Sequence, residues 1–305
     1  MTIPGPLQDW VSIFLGIIVE ASPFLLLGVV LSSAVEVFVS EDRLLRLVPR
    51  NPVLSLAPAL GLGLLMPVCE CGNIAVARRF LAKGVPLSSC IAFLLAAPIL
   101  NPVSLFATWT AFHILLPDVV WLRAGLAIVV ASIVGLVIGS AGRGEQLLAA
   151  SIGPQHHHHH HEHDRTPVWD RLLHAASHSG DEFLAMIRVL LIGASLAAAT
   201  QVLIPRSAVA GFGTGIVFAV LAMMSLAFVL SICSTVDAFF ALSYTALFPT
   251  PAIVAFLVFG PMLGMKTTGL MFTAFRPRVV LAIAALTAEI VLLAGLVLNL
   301  RGVVL

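Results

Sequence analysis

Eight apolar stretches, at about 11–39, 53–82, 86–112, 119–139, 183–204, 212–248, 251–275 and 279–300, leave this chain almost no way to fold in water. A helix of about 20 apolar residues crosses a hydrocarbon core of roughly 30 Å, so each stretch is long enough for one span. Sixty per cent of the 305 residues are hydrophobic and ten per cent charged, where soluble proteins carry roughly a quarter. The mean hydropathy of +1.08 agrees. The expected fold is an all-α polytopic protein, multi-pass in the cell (inner) membrane, with little length left for a soluble domain. The first apolar run has no basic lead and is too long for a signal-peptide core, so it reads as a retained helix. A net charge of +1 calls for no nucleic-acid partner, and four cysteines outside any long loop call for no disulfide framework.

One segment, 140–182, breaks the apolar pattern and divides the chain into a first transmembrane repeat (1–139) and a second (183–305). It carries His156, His157, His158, His159, His160 and His161, then Glu162, His163 and Asp164. Six consecutive histidines also describe a purification tag, but His163, Asp164, His174 and His178 extend the bias beyond one. As a native loop, the tract would be an auxiliary metal site that buffers or senses borderline metals through neutral imidazoles.

The two halves resemble each other at their polar positions. Laying Leu27-Gly28 on Ile192-Gly193, Val68-Cys69 on Ile232-Cys233 and Pro98 on Pro261 gives offsets of 165, 164 and 163. An internal duplication with breaks at matching places points to a midplane site. Charge indicates how the halves are oriented. If 53–82 and 212–248 each dip to the midplane and return, the halves are inverted. Arg43, Arg46, Arg50, Arg78, Arg79, Lys83, Arg143, Arg165, Arg171, Arg276 and Arg278 then share one side, leaving Arg123, Arg206 and Arg301 opposite. Eleven against three fits the positive-inside bias, with the histidine loop cytoplasmic.

The chemistry concentrates in the breaks. Met66-Pro67-Val68-Cys69-Glu70-Cys71-Gly72-Asn73 sets a helix breaker, two thiols, a carboxylate, a carboxamide and a glycine in an apolar chain. Pro67 and Gly72 predict a turn there, letting both thiols approach one ligand. Thiolates favour soft or borderline ions. Membrane cysteines are also small packers, which is the expectation for Cys90. The second half supplies Cys233, Ser234, Thr235 and Asp237, and the breaks around Pro98 and Pro261 add Asn101, Ser104, Lys266 and Thr267. An aspartate at the membrane centre costs about 2.5–3.5 kcal/mol on insertion scales and needs a partner. Lys266 is expected to pair with Asp237 or to snorkel to an interface. Glu20 and Glu36 are secondary acids for proton coupling.

Together, Pro67-Val68-Cys69-Glu70-Cys71-Gly72, Pro98-Ile99-Leu100-Asn101-Pro102-Val103-Ser104, Cys233-Ser234-Thr235-Val236-Asp237-Ala238-Phe239 and Phe259-Gly260-Pro261-Met262-Leu263 resemble the ArsP-type predicted permease family. The resemblance covers nearly the whole chain apart from the histidine loop. It implies an exporter of a soft metal or metalloid with Cys69, Cys71 and Cys233 as ligands. Two departures stand out: Glu70 lies where arsenical exporters carry a serine, and Gly264 where many members have an acidic residue. A carboxylate suits a divalent cation better than a neutral arsenical, which turns the expectation toward zinc-like ions.

The functional expectation is a secondary-active efflux permease rather than an enzyme. Its substrate site would draw on Cys69, Glu70, Cys71, Asn73, Asn101, Ser104, Cys233, Ser234, Asp237 and Lys266. Cys69, Cys71 and Cys233 would be metal ligands, Glu70 and Asp237 would balance charge or exchange protons, and Asn101 would shape the cavity. No phosphate-cradling motif is present, which favours coupling to protons or the potential. No tightly bound cofactor is implied beyond the transported ion. The partners are the metal or metalloid ion and the bilayer, with a homo-oligomer left open. Two alternatives stand beside this reading: a membrane thiol oxidoreductase using Cys69 and Cys71, and a passive scaffold.

Overall fold

The computed structural model describes residues 5–38, 49, 51–66, 70–140, 168–203 and 215–300. Among them the chain forms twelve helices and no strand, as expected where lipid leaves the backbone no water to bond with. The first six are α1 (Gly5–Phe38), α2 (Leu56–Leu65), α3 (Glu70–Ala82), α4 (Leu87–Leu100), α5 (Pro102–Phe112) and α6 (Asp118–Ser140). After the 141–167 segment come α7 (Val168–Leu203), α8 (Ile216–Leu230), α9 (Asp237–Leu242), α10 (Thr250–Leu263), α11 (Met265–Met271) and α12 (Pro277–Leu300). Helix α7 thus begins within the stretch read from sequence as linker.

Gly5–Leu27, Asp118–Ser140, Thr250–Met271 and Pro277–Leu300 are each long and apolar enough to cross a bilayer, and α4 with α5 makes a fifth candidate bent by 40°. This is a multi-pass membrane protein. The eight apolar stretches therefore do not become eight continuous spans: four of them, 53–82, 86–112, 212–248 and 251–275, are each divided into two helices. Helices α4 and α10 form the centre, with every residue of both buried. Helices α6 and α12 pack on them and expose Trp121, Val129, Leu281 and Leu293 outward, where lipid replaces water as solvent.

The two series of helices run in the same order, with a long leading helix of 34 or 36 residues and a closing one of 23 or 24. Their packing also corresponds. Helix α2 lies on α4 as α8 lies on α10, and α4 lies on α6 as α10 lies on α12. Across the halves, α5 meets α9 and α11 meets α3, which brings the breaks of one half against those of the other.

Each break has a local cause. Met66 is extended (φ −93°, ψ 113°) because a residue before proline is pushed out of the helical region. The helix resumes at Glu70, a carboxylate in a first turn where the helix dipole favours it. Cys71 and Gly72 are consequently helical, so the turn expected here does not include Gly72. Gly72 has no need of its extra backbone freedom, and residues 67–69 lie outside the described residues. Asn101 ends α4 and caps α5, its Oδ1 accepting from the Val103 amide at 2.9 Å, with Pro102 at the first helical position. Ser231 stops α8 in the left-handed region (φ 50°), and α9 starts six residues later at Asp237. Gly264, extended at φ −60° and ψ 157°, separates α10 from α11. A Cβ there would overlap Ser231 Oγ, so the glycine is required by close approach.

Candidate functional site

Glu70 opens α3 with its side chain turned into the protein, only 1 % exposed. Its Oε1 lies 3.1 Å from Lys266 Nζ on α11, and its Oε2 accepts from the Cys233 thiol at 3.7 Å. One carboxylate from the first half therefore touches an ammonium and a thiol from the second. Lys266 is held for this contact, since its backbone amide donates to Ser231 Oγ at 3.1 Å. The expected pairing of Lys266 with Asp237, or its escape to an interface, does not occur. The side chain is buried and its charge is met by Glu70, because α11 packs on α3.

Asp237 has a different partner. Arg123 of α6 is fully buried and grips it in a fork, with Nη1 to Oδ1 at 3.0 Å and Nη2 to Oδ2 at 2.7 Å. Arg123 Nη1 also donates to Thr108 Oγ1 at 2.6 Å, and Nη2 reaches the Ser234 carbonyl at 3.4 Å. Ser104 Oγ donates to that same carbonyl at 2.9 Å, and Thr108 Oγ1 donates to Ser104 O at 2.8 Å. Ser104, Ser234 and Asp237 are thus gathered into one network that ties α5 and α6 to the second break. A bidentate guanidinium–carboxylate pair is strong and directional, so it holds α9 in register on the first half.

Arg123 and Thr108 were missed from sequence. Arg123 was counted with the loop charges, yet it lies five residues inside α6, and an ionisable residue within an apolar span was the available signal. Without it, the charge count becomes eleven against two.

The remaining candidates fall into four groups. Asn73, one turn beyond Glu70, is buried, and among the described residues neither Oδ1 nor Nδ2 has a hydrogen-bond partner; the same holds for Thr267 Oγ1 beside Lys266. Asn101 serves as a helix cap. Cys71 and Cys233 are buried thiols without a disulfide, and Cys90 packs as expected, its Sγ 3.9 Å from the Val85 carbonyl. Cys69, the tract His156 to His161, His163 and the side chains of Glu20 and Glu36 lie outside the described residues. Among the described residues, no three of His, Cys, Asp and Glu are grouped as a ready metal site. Asp237 in this conformation commits both oxygens to Arg123. The arrangement offers one carboxylate, already facing a cation and a thiol, on a helix that also carries the Asn73 amide, which has no hydrogen-bond partner among the described residues.

The model of a predicted permease family, ArsP_1, matches residues 7–300. The UPF0718 protein YcgR of Bacillus subtilis (strain 168) is 42 % identical over 299 residues, covering 98 % of this chain and 100 % of that protein. A Streptococcus mutans protein named "Putative two-component membrane permease complex subunit" is 35 % identical over 297 residues, covering 97 % of each. No solved structure matches the chain.

Proposed function

The chain belongs to the ArsP_1 predicted permease family, and from that premise we propose that it is a secondary-active exporter of a soft or borderline cation, zinc-like before arsenical. The cargo passes between the two sets of broken helices. Glu70 supplies charge and Cys233 a soft ligand, with Cys69 and Cys71 added from the first break. Asn73 and Thr267 offer neutral oxygens near the same contact. Asp237, engaged by Arg123, anchors the second break rather than serving as a free ligand. The halves act as inverted repeats that rock about this contact, with 156–163 as a cytoplasmic metal buffer.

One observation carries the reading: Glu70 of the first break meets both Cys233 and Lys266 of the second, in full burial. An isolated carboxylate in such a place would carry a desolvation penalty of several kcal/mol, so a cation beside it is required. A site that already accepts an ammonium against Glu70 has the charge sign to accept a metal ion. The Streptococcus mutans relative's name, a subunit of a two-component complex, supports a second protein working with this one. The family match favours transport over thiol oxidoreduction.

The test is the metal and metalloid content of cells with and without the protein, under a panel of zinc, copper and trivalent arsenical stresses. Lower zinc in expressing cells is expected. Equal content of every element in the panel would overturn the proposal.

A further inference from the structure

Lys266 of the second half meets Glu70 of the first, Nζ to Oε1 at 3.1 Å, with both side chains buried. Its stem leaves α11 directly after the break at Gly264, where the Ser231 contact fixes the backbone. The ammonium therefore hangs on a flexible four-carbon stem whose backbone base is fixed. The carboxylate it meets belongs to the opposite half, so the pair spans the surface along which the halves must move. Asn73, one turn beyond Glu70, and Thr267, next to Lys266 in the chain, keep buried polar atoms without hydrogen-bond partners among the described residues, which is an expensive arrangement unless another group uses them in part of the working cycle.

We propose that Lys266 is a tethered substitute for the transported cation: it holds Glu70 when no cargo is present, the cargo displaces it, and its return to Glu70 permits the unloaded carrier to reset. This rests on the cation-exporter reading above. A carrier must cross its own barrier twice per cycle, once loaded and once unloaded. A bare Glu70 carboxylate, with neither cargo nor ammonium beside it, would be a lone buried charge during the return. The ammonium removes that obstacle and, by competing for Glu70, weakens cargo binding by the fraction of carriers it occupies. Asn73 and Thr267 then gain partners when the cargo enters with its remaining coordination sites open.

Net flux and exchange separate the two crossings. The full-length protein is reconstituted in liposomes with zinc chloride. Net efflux into zinc-free medium needs the unloaded return, whereas zinc–zinc exchange with zinc on both sides does not. In Lys266→Met, net efflux should fall at least about tenfold while exchange stays within about twofold and half-saturates at lower zinc. In Lys266→Arg, which keeps a cation and clamps Glu70 more firmly, net efflux should persist and half-saturation should move to higher zinc. Folding of each variant is followed by its melting transition in detergent. If a folded Lys266→Met loses both fluxes equally, or retains full net efflux, the proposal is overturned. If Lys266→Met does not fold, an unchanged or lower half-saturating zinc concentration in Lys266→Arg overturns it. Wild-type protein that moves neither zinc nor a trivalent arsenical overturns the cargo reading itself, and this proposal with it.

Discussion

Removing one member of the Arg123–Asp237 pair should destabilise the protein severely, and removing both should destabilise it far less. The two groups meet at 3.0 and 2.7 Å, with side chains 0 % and 3 % exposed. At an effective dielectric constant near 20, unit charges about 4 Å apart attract by about 4 kcal/mol. Breaking a buried pair from one side costs about 3–5 kcal/mol, because the remaining charge has lost its partner in a medium that cannot replace it. Arg123→Met and Asp237→Leu should each lower unfolding free energy by that amount. The double variant strands no charge, although Thr108 and the Ser234 carbonyl lose a donor, so its loss should fall short of the sum by at least about 2 kcal/mol. Equilibrium unfolding of the protein in mixed micelles, followed by helical signal, gives all four corners of the cycle. Single variants that lose under about 1 kcal/mol, or a double variant that is simply additive, would refute a charge lock between the halves. The stable double variant should also keep most transport, since Asp237 is assigned as an anchor; complete loss with the fold intact would return it to the cargo site.

Gly264→Ala should lower stability by about 1–3 kcal/mol, read in the same unfolding assay, because the new Cβ overlaps Ser231 Oγ and disturbs the amide contact of Lys266. Deleting residues 156–163 should shift the metal concentration at which transport responds and leave the maximal rate nearly intact; complete loss in a correctly inserted deletion would put central chemistry in that tract. A single cysteine at Gln155, in a background lacking the native four, should resist impermeant thiol reagents in intact cells and react after permeabilisation; full labelling in intact cells would reject the inverted topology.

The places where helices break were legible in the sequence, because a bilayer penalises any interruption and tolerates it mainly where proline, glycine or a capping group makes it local. Met66, Asn101-Pro102 and Gly264 mark helix ends, whereas Pro98 and Pro261 themselves lie inside α4 and α10. Polar residues in the apolar stretches were legible for the same reason, and Glu70, Asn73, Ser104, Cys233, Asp237 and Lys266 are all buried. Their pairing was not legible. It depends on α5 packing against α9 and α11 against α3, contacts separated by more than a hundred residues that no local pattern encodes. Hence the sequence leaves Lys266 either to pair with Asp237 or to snorkel, whereas the fold gives Glu70 to Lys266 and Arg123 to Asp237. Arg123 differs: it lies inside the apolar stretch 119–139, and an ionisable residue there is the signal that counting it with the loop charges passes over. The role of Asn101 could have been read correctly, since asparagine before a proline that opens a helix is a capping signature.

The contact of Glu70 with Cys233 and Lys266 is the centre of this account, and zinc flux through Glu70→Gln tests it most directly. Glutamine keeps the size of the side chain and removes its charge. In reconstituted liposomes, zinc transport by Glu70→Gln should fall at least about tenfold, corresponding to about 1.4 kcal/mol or more in the barrier, with the protein still folded. Zinc transport at the wild-type rate in that variant would contradict the assignment.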